Sequence, residues 1–82
     1  MVKVIIDPYF QRIFLKIKDN GIKGKIMKQI EKIKINPEIG KPMRFNRKGT
    51  RELYIPPFRL SYKFIPSIDT LYILDLYHKD EQ

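Results

Sequence analysis

The chain contains no cysteine, which removes disulfides, thiolate nucleophiles and zinc sites built on sulfur. That absence fits a reducing, cytoplasmic compartment. No apolar run approaches the roughly 20 residues a membrane span needs, and the opening MVKVII is too short for a signal-peptide core before Asp7 interrupts it. Histidine occurs once, as His78. There is no Ser-His-Asp arrangement, phosphate-cradling glycine loop or metal-ligating cluster, so the expectation is no metal and no cofactor. Repeats, linkers and low-complexity stretches are also missing. The 82 residues leave room for one core, and 43% hydrophobic residues are enough to fill it. Residues 1–82 therefore read as a single domain.

Acidic residues are few beside the basic ones. Seventeen Lys and Arg against nine Asp and Glu give a net charge of +8, a large positive field for so small a domain. Its natural partners are polyanions: RNA, DNA, an anionic membrane surface or an acidic protein. A lysine-rich solvated surface, from an AT-rich or thermophilic genome, would produce the same number. Charge alone does not choose between them.

Hydrophobic spacing predicts the elements. Val2 to Ile6 is a β-branched run and reads as a strand. Asp7-Pro8 looks like a helix start, and Phe10, Ile13, Phe14 and Ile17 follow at helical spacing until Asn20-Gly21 closes the helix. A second helix runs from about Gly21 to Ile35, with Ile22, Ile26, Ile30 and Ile33 on its apolar stripe, widened by Met27. Its lysines could make it a basic membrane helix, but a core explains the stripe better. Asn36-Pro37 stops it. The period then changes from 3.6 to 2, predicting strands at Met43–Lys48, Arg51–Ile55, Phe58–Ile65 and Thr70–Tyr77, joined by short turns. The expected fold is α+β, ordered β-α-α-β-β-β-β, with a helical hairpin on one face of an antiparallel sheet.

Alternation divides each strand into two faces. Phe58, Leu60, Tyr62 and Phe64 belong to the core, as do Leu53, Ile55, Tyr72, Leu74 and Leu76. Arg44, Asn46, Glu52, Tyr54, Arg59, Ser61, Lys63, Asp75 and Tyr77 then point outward. Cations, one carboxylate and aromatic rings on a sheet face suit a single-stranded nucleic acid. Antiparallel sheets also leave one face polar and wet for no functional reason. Cleaving RNA through its own 2′-hydroxyl needs a base, an acid and cations on the phosphorane. Arg59, in the most regular strand, could fork onto a phosphate. Glu52 and His78 are the candidate base and acid. Equally, Glu52 could pair with Arg59 or Lys63 across strands, and a lone histidine near a chain end is often incidental.

The runs NPEIGKPMRF (36–45), GTRELYIPPFRLSYKF (49–64) and LYILDLYHKDEQ (71–82) resemble the RelE/ParE superfamily of toxin–antitoxin toxins, over nearly the whole chain. Most specific are the RELYI–PPFRLSY block and the final strand ending in HKDE. The resemblance implies a RelE-like, microbial-RNase-type fold and a toxin that cuts messenger RNA in the ribosomal decoding site, silenced by a bound antitoxin. It implies that Arg59 contacts the scissile phosphate. His78 and Lys79 correspond to the first two positions of a His-Arg-Asp-Glu pattern. Catalytic residues are thus expected at Arg59, Lys79, His78 and Glu52, and RNA-binding residues at Arg44, Arg51, Tyr54, Lys63 and Tyr77.

The sequence departs from the pattern in two places. Glu52 and Tyr54 stand where well-studied members carry two basic residues. A tyrosine usual a few residues beyond the final motif is not reached before Gln82, and Tyr77 is the candidate substitute. A second branch of the superfamily poisons DNA gyrase without RNA chemistry. The missing cations favour that branch, and the HKDE ending favours RNA. Expected partners are an acidic, RelB-like antitoxin in a hetero-oligomer, the ribosome and mRNA, with no membrane.

Overall fold

The computed structural model describes residues 2–81, the side chains of Arg47 and Glu81 excepted. Strand β1 (Lys3–Ile6) leads into helices α1 (Pro8–Lys16) and α2 (Asn20–Ile35). Strands β2 (Lys41–Pro42), β3 (Arg51–Ile55), β4 (Phe58–Ile65) and β5 (Thr70–His78) follow. They form one sheet in the order β1-β5-β4-β3-β2. The α+β class and the element order agree with the sequence reading, but the sheet is mixed because β1 lies parallel to β5. Parallel neighbours need a crossover, and here the helical hairpin begins it.

Both helices start at aspartates. The Asp7 carboxylate accepts the Tyr9 N–H at 2.8 Å with Pro8 in the first turn. Asp19 accepts the N–H groups of Gly21 and Ile22 at 2.8 and 3.2 Å. Such caps contribute about 1 kcal/mol each. The second one corrects the expectation that Asn20-Gly21 ends α1. That helix stops at Lys16, and the Asp19 carboxylate draws residues 20–22 into the first turn of α2. The apolar stripes land as spaced: Phe10, Ile26, Ile30 and Ile33 are buried against Ile55, Leu60, Tyr62, Leu71, Ile73 and Leu76 of the sheet. Met27 is half exposed at the edge of its stripe.

Two predicted strand features differ. Met43–Lys48 is not a strand. After the two residues of β2, the Met43 N–H donates to the Thr50 carbonyl at 3.0 Å, and the chain makes a 3-10 turn at Phe45–Arg47. Phe45 sits at φ 59°, a left-handed conformation that no strand accommodates. Arg44 and Asn46 are therefore loop residues. The second difference is a bulge in β5: Ser61 pairs with Asp75 but Tyr62 pairs with Ile73, leaving Leu74 as the extra residue. Leu71 and Ile73 consequently fill the core instead of Tyr72 and Leu74. Leu76 keeps its inward place beyond the bulge.

The connection from α2 to β2 is tied to the sheet. The buried Tyr62 hydroxyl donates to the Pro37 carbonyl at 2.7 Å and accepts the Gly40 N–H at 2.8 Å. One Arg51 nitrogen donates to the carbonyls of Glu38 and Gly40 at 3.1 and 2.8 Å. A Cβ at Gly40 would lie 2.5 Å from the Tyr62 hydroxyl, so only glycine fits this approach. The latch holds Lys41 and Met43 beside the open sheet face.

Candidate functional site

Three adjacent strands build the site as a grid. In one row Tyr54 of β3, Arg59 of β4 and Tyr77 of β5 lie opposite one another; in the next stand Glu52, Ser61 and Asp75. Leu60 and Tyr62 alternate with Arg59 and Ser61 and are fully buried under the helices. The Arg59 side chain therefore emerges on the helix-free face. Its guanidinium lies 5.4 Å from the centre of the Tyr54 ring. Among the described residues no carboxylate holds it, and its Nε has no hydrogen-bond partner. The ring orients the guanidinium, while its donors remain for an incoming anion.

Lys79 arrives from the other end of the chain. Its backbone N–H donates to the Pro57 carbonyl at 3.0 Å, fastening the residue after β5 to the β3–β4 turn. Its ammonium stands 5.7 Å from the same Tyr54 ring. One tyrosine thus gathers two cations from distant sequence positions.

Glu52 is almost wholly buried, and the Tyr77 hydroxyl donates a short hydrogen bond to it. To do so, Tyr77 reaches from β5 across β4 to β3. Among the described residues the carboxylate takes this phenol rather than a cross-strand ion pair with Arg59 or Lys63. Lys41, Met43, Glu52, Tyr54 and Arg59 line a cleft of about 340 Å³. A neighbouring cleft includes Asn46, Ser61, Asp75 and Tyr77. Lys41 and Met43 escaped the sequence reading. The pairing of Lys41 with Glu52 brings them there, and the short β2 offered no alternation to reveal it.

The remaining predicted site residues lie elsewhere. His78 pairs with Phe58 and faces the opposite side of the sheet from Tyr77. Its ring packs edge-on against Phe58 at 6.0 Å, and its Nδ1 is 3.6 Å from Asp80. The structure does not bring it to Arg59, because neighbours on a strand point to opposite faces. Arg51 is committed to the α2–β2 connection, on the helix-covered side. Lys63 is exposed on the open face opposite Tyr72, outside both clefts. Arg44 lies in the loop before the 3-10 turn. Gln82, the last residue of the quoted HKDEQ ending, lies outside the described residues. No group of three His, Asp or Glu side chains among the described residues is placed to hold a metal ion.

Comparison with solved structures places this fold in one class. The RelBE2 toxin–antitoxin complex from Mycobacterium tuberculosis matches with a TM-score of 0.82 at 22% identity, over 95% of this chain and 98% of that one. The intact Escherichia coli RelBE toxin–antitoxin complex gives 0.80 at 11% identity, over 95% and 96%. The YoeB/ParE toxin from Agrobacterium tumefaciens gives 0.84 at 18%, over 94% and 98%. At such identities the likeness establishes the fold, that of RelE/ParE superfamily toxins. No curated protein matches the sequence. The family model of the ParE toxin of type II toxin–antitoxin systems (parDE) matches residues 4–82, and the chain belongs to that family.

Proposed function

We propose that this toxin inhibits translation by cutting ribosome-bound messenger RNA, with the substrate's own 2′-hydroxyl as nucleophile. The observation that carries the reading is Arg59: an outward guanidinium, aligned on Tyr54 and not engaged by a carboxylate among the described residues. Arg59 and Lys79 counter the charge that gathers on the phosphorane. The 2′-oxygen bonds to phosphorus as the bond to the 5′-oxygen breaks, leaving a 2′,3′-cyclic phosphate and a 5′-hydroxyl. Glu52 takes the 2′-hydroxyl proton, and Tyr77 gives its own to the departing 5′-oxygen. The proton on Glu52 then passes to Tyr77 along the hydrogen bond that already joins them. The pair ends as it began. Tyr54 and Lys41 shape the cleft around the reacting phosphate, and His78 takes no part.

The ParE description of the family, together with Glu52 and Tyr54 in place of cations, favours a second reading: inhibition of DNA gyrase by surface contact alone. In either case the partner that silences the toxin is an acidic antitoxin drawn to the net charge of +8. Expression of the chain without an antitoxin separates the readings. Halted translation with new mRNA 5′ ends inside codons supports cleavage, and DNA breaks or altered supercoiling with intact mRNA support gyrase. Neither outcome would leave a binding module without activity.

A further inference from the structure

Phe45 is 90% exposed, more than any other large hydrophobic side chain among the described residues. Its φ of 59° is unusual for a bulky residue. The turn is closed by backbone bonds, Lys48 N–H to the Phe45 carbonyl and Met43 N–H to the Thr50 carbonyl, each 3.0 Å. The backbone thus holds an aromatic ring in water at a conformational cost, which is a feature of functional positions. Arg44 and Lys48 flank it, both exposed.

The loop adjoins the proposed site. Phe45, Arg44, Met43, Pro42 and Lys41 line a surface cleft, and two of these, Lys41 and Met43, also line the Arg59 cleft. On the other side of the turn, Asn46 shares a cleft with Ser61 and Tyr77. A strand whose phosphate lies on Arg59 can continue along Lys41 and Met43 to the Phe45 ring.

We infer that Phe45 is a stacking platform for an unpaired base further along the strand whose phosphate lies on Arg59, with Arg44 on the adjoining phosphate. The occupant is single-stranded RNA. Every base offers a face for such stacking, and the surrounding side chains carry the charge a sugar-phosphate backbone requires. The inference rests on the RNA reading and adds a second subsite to it.

The test is binding of purified toxin to a fluorescein-labelled RNA of about six nucleotides, made resistant to cleavage by 2′-deoxy substitution. Phe45→Ala should weaken binding roughly 5- to 150-fold, the range for loss of one stacked base. Phe45→Leu should behave like alanine, because it keeps bulk but loses the π face. Phe45→Trp should restore binding, and its fluorescence should be quenched by the RNA; the chain has no other tryptophan to obscure the signal. Arg44→Ala should flatten the salt dependence by about one phosphate contact, near 0.7 in the log–log slope. Unchanged melting temperatures in all four variants keep the comparison free of folding effects.

If Arg59→Ala weakens binding and Phe45→Ala does not, the platform is overturned and the RNA reading stands. If neither variant changes binding, the RNA reading itself falls. If Phe45→Ala loosens only the complex with antitoxin, the loop is a protein contact and the inference is wrong.

Discussion

Tyr77 and Glu52 meet across an intervening strand: the phenol on β5 donates a hydrogen bond, over β4, to a carboxylate buried on β3. Tyr77 shares a row with Arg59 and Glu52 stands in the next, on the face the helices leave open. In the proposed mechanism this contact takes the acid–base role, on a sheet whose only histidine points elsewhere.

If the two act as a unit, their losses do not add. Glu52→Gln and Tyr77→Phe are each expected to slow cleavage by about 10²- to 10⁴-fold, the usual contribution of general acid–base catalysis. The double variant should be scarcely slower than either. Single-turnover cleavage of ribosome-bound mRNA measures all three, and multiplicative losses would mean that the residues act independently.

His78 provides a contrast. It packs against Phe58 beside Asp80, on the other face from Tyr77. His78→Ala should leave the cleavage rate within a few-fold of the parent and the pH–rate profile unchanged in shape. Loss of one limb of that profile would return the histidine to the mechanism.

The Tyr62–Gly40 latch predicts a stability effect. Tyr62→Phe leaves the Gly40 N–H and the Pro37 carbonyl without the hydroxyl, at a cost of about 1–3 kcal/mol. Gly40→Ala should destabilise as well, since its methyl group would collide with the Tyr62 ring. Burial raises the Tyr62 pKa above its usual 10.0, outweighing the Gly40 hydrogen bond and the Arg51 charge that lower it. The folded chain therefore holds this proton more tightly than the unfolded chain. That stability is full below pH 10.0 and is lost as pH rises through the native value. Denaturant titrations of parent and Tyr62→Phe should converge above that pH; a constant difference would contradict the assignment.

Association with an acidic antitoxin should weaken steeply with salt, chiefly through slower association, as the basic surface is screened. Stopped-flow rates between low and high ionic strength read this directly. A flat response would place the interface on apolar contacts instead.

Much of this was legible in the residues. The bounds of β3 and β4 follow from strict alternation between Gly49-Thr50, Pro56-Pro57 and Pro66, and the same alternation turns Arg59 outward. Asp7-Pro8 marked the start of α1 for the reason that operates in the structure: a carboxylate cap and a proline that needs no donor. The Leu74 bulge was hidden, because one inserted residue shifts the faces of half a strand without changing its composition. The parallel docking of β1 and the Glu52–Tyr77 contact depend on registers between distant segments, which local patterning does not carry. The facing of His78 was legible, since a residue next to outward Tyr77 on one strand must point away from it. Lys79 could not have been placed; a backbone bond to Pro57 brings it to Tyr54.

The central claim is that Arg59 offers its guanidinium to an RNA phosphate. It is tested most directly by mapping mRNA 5′ ends on ribosomes incubated with purified parent toxin or with Arg59→Ala. The account predicts cleavage within codons by the parent, a loss of about 10²- to 10³-fold in the variant, and an unchanged melting temperature. A variant that folds normally and cuts as fast as the parent would contradict it.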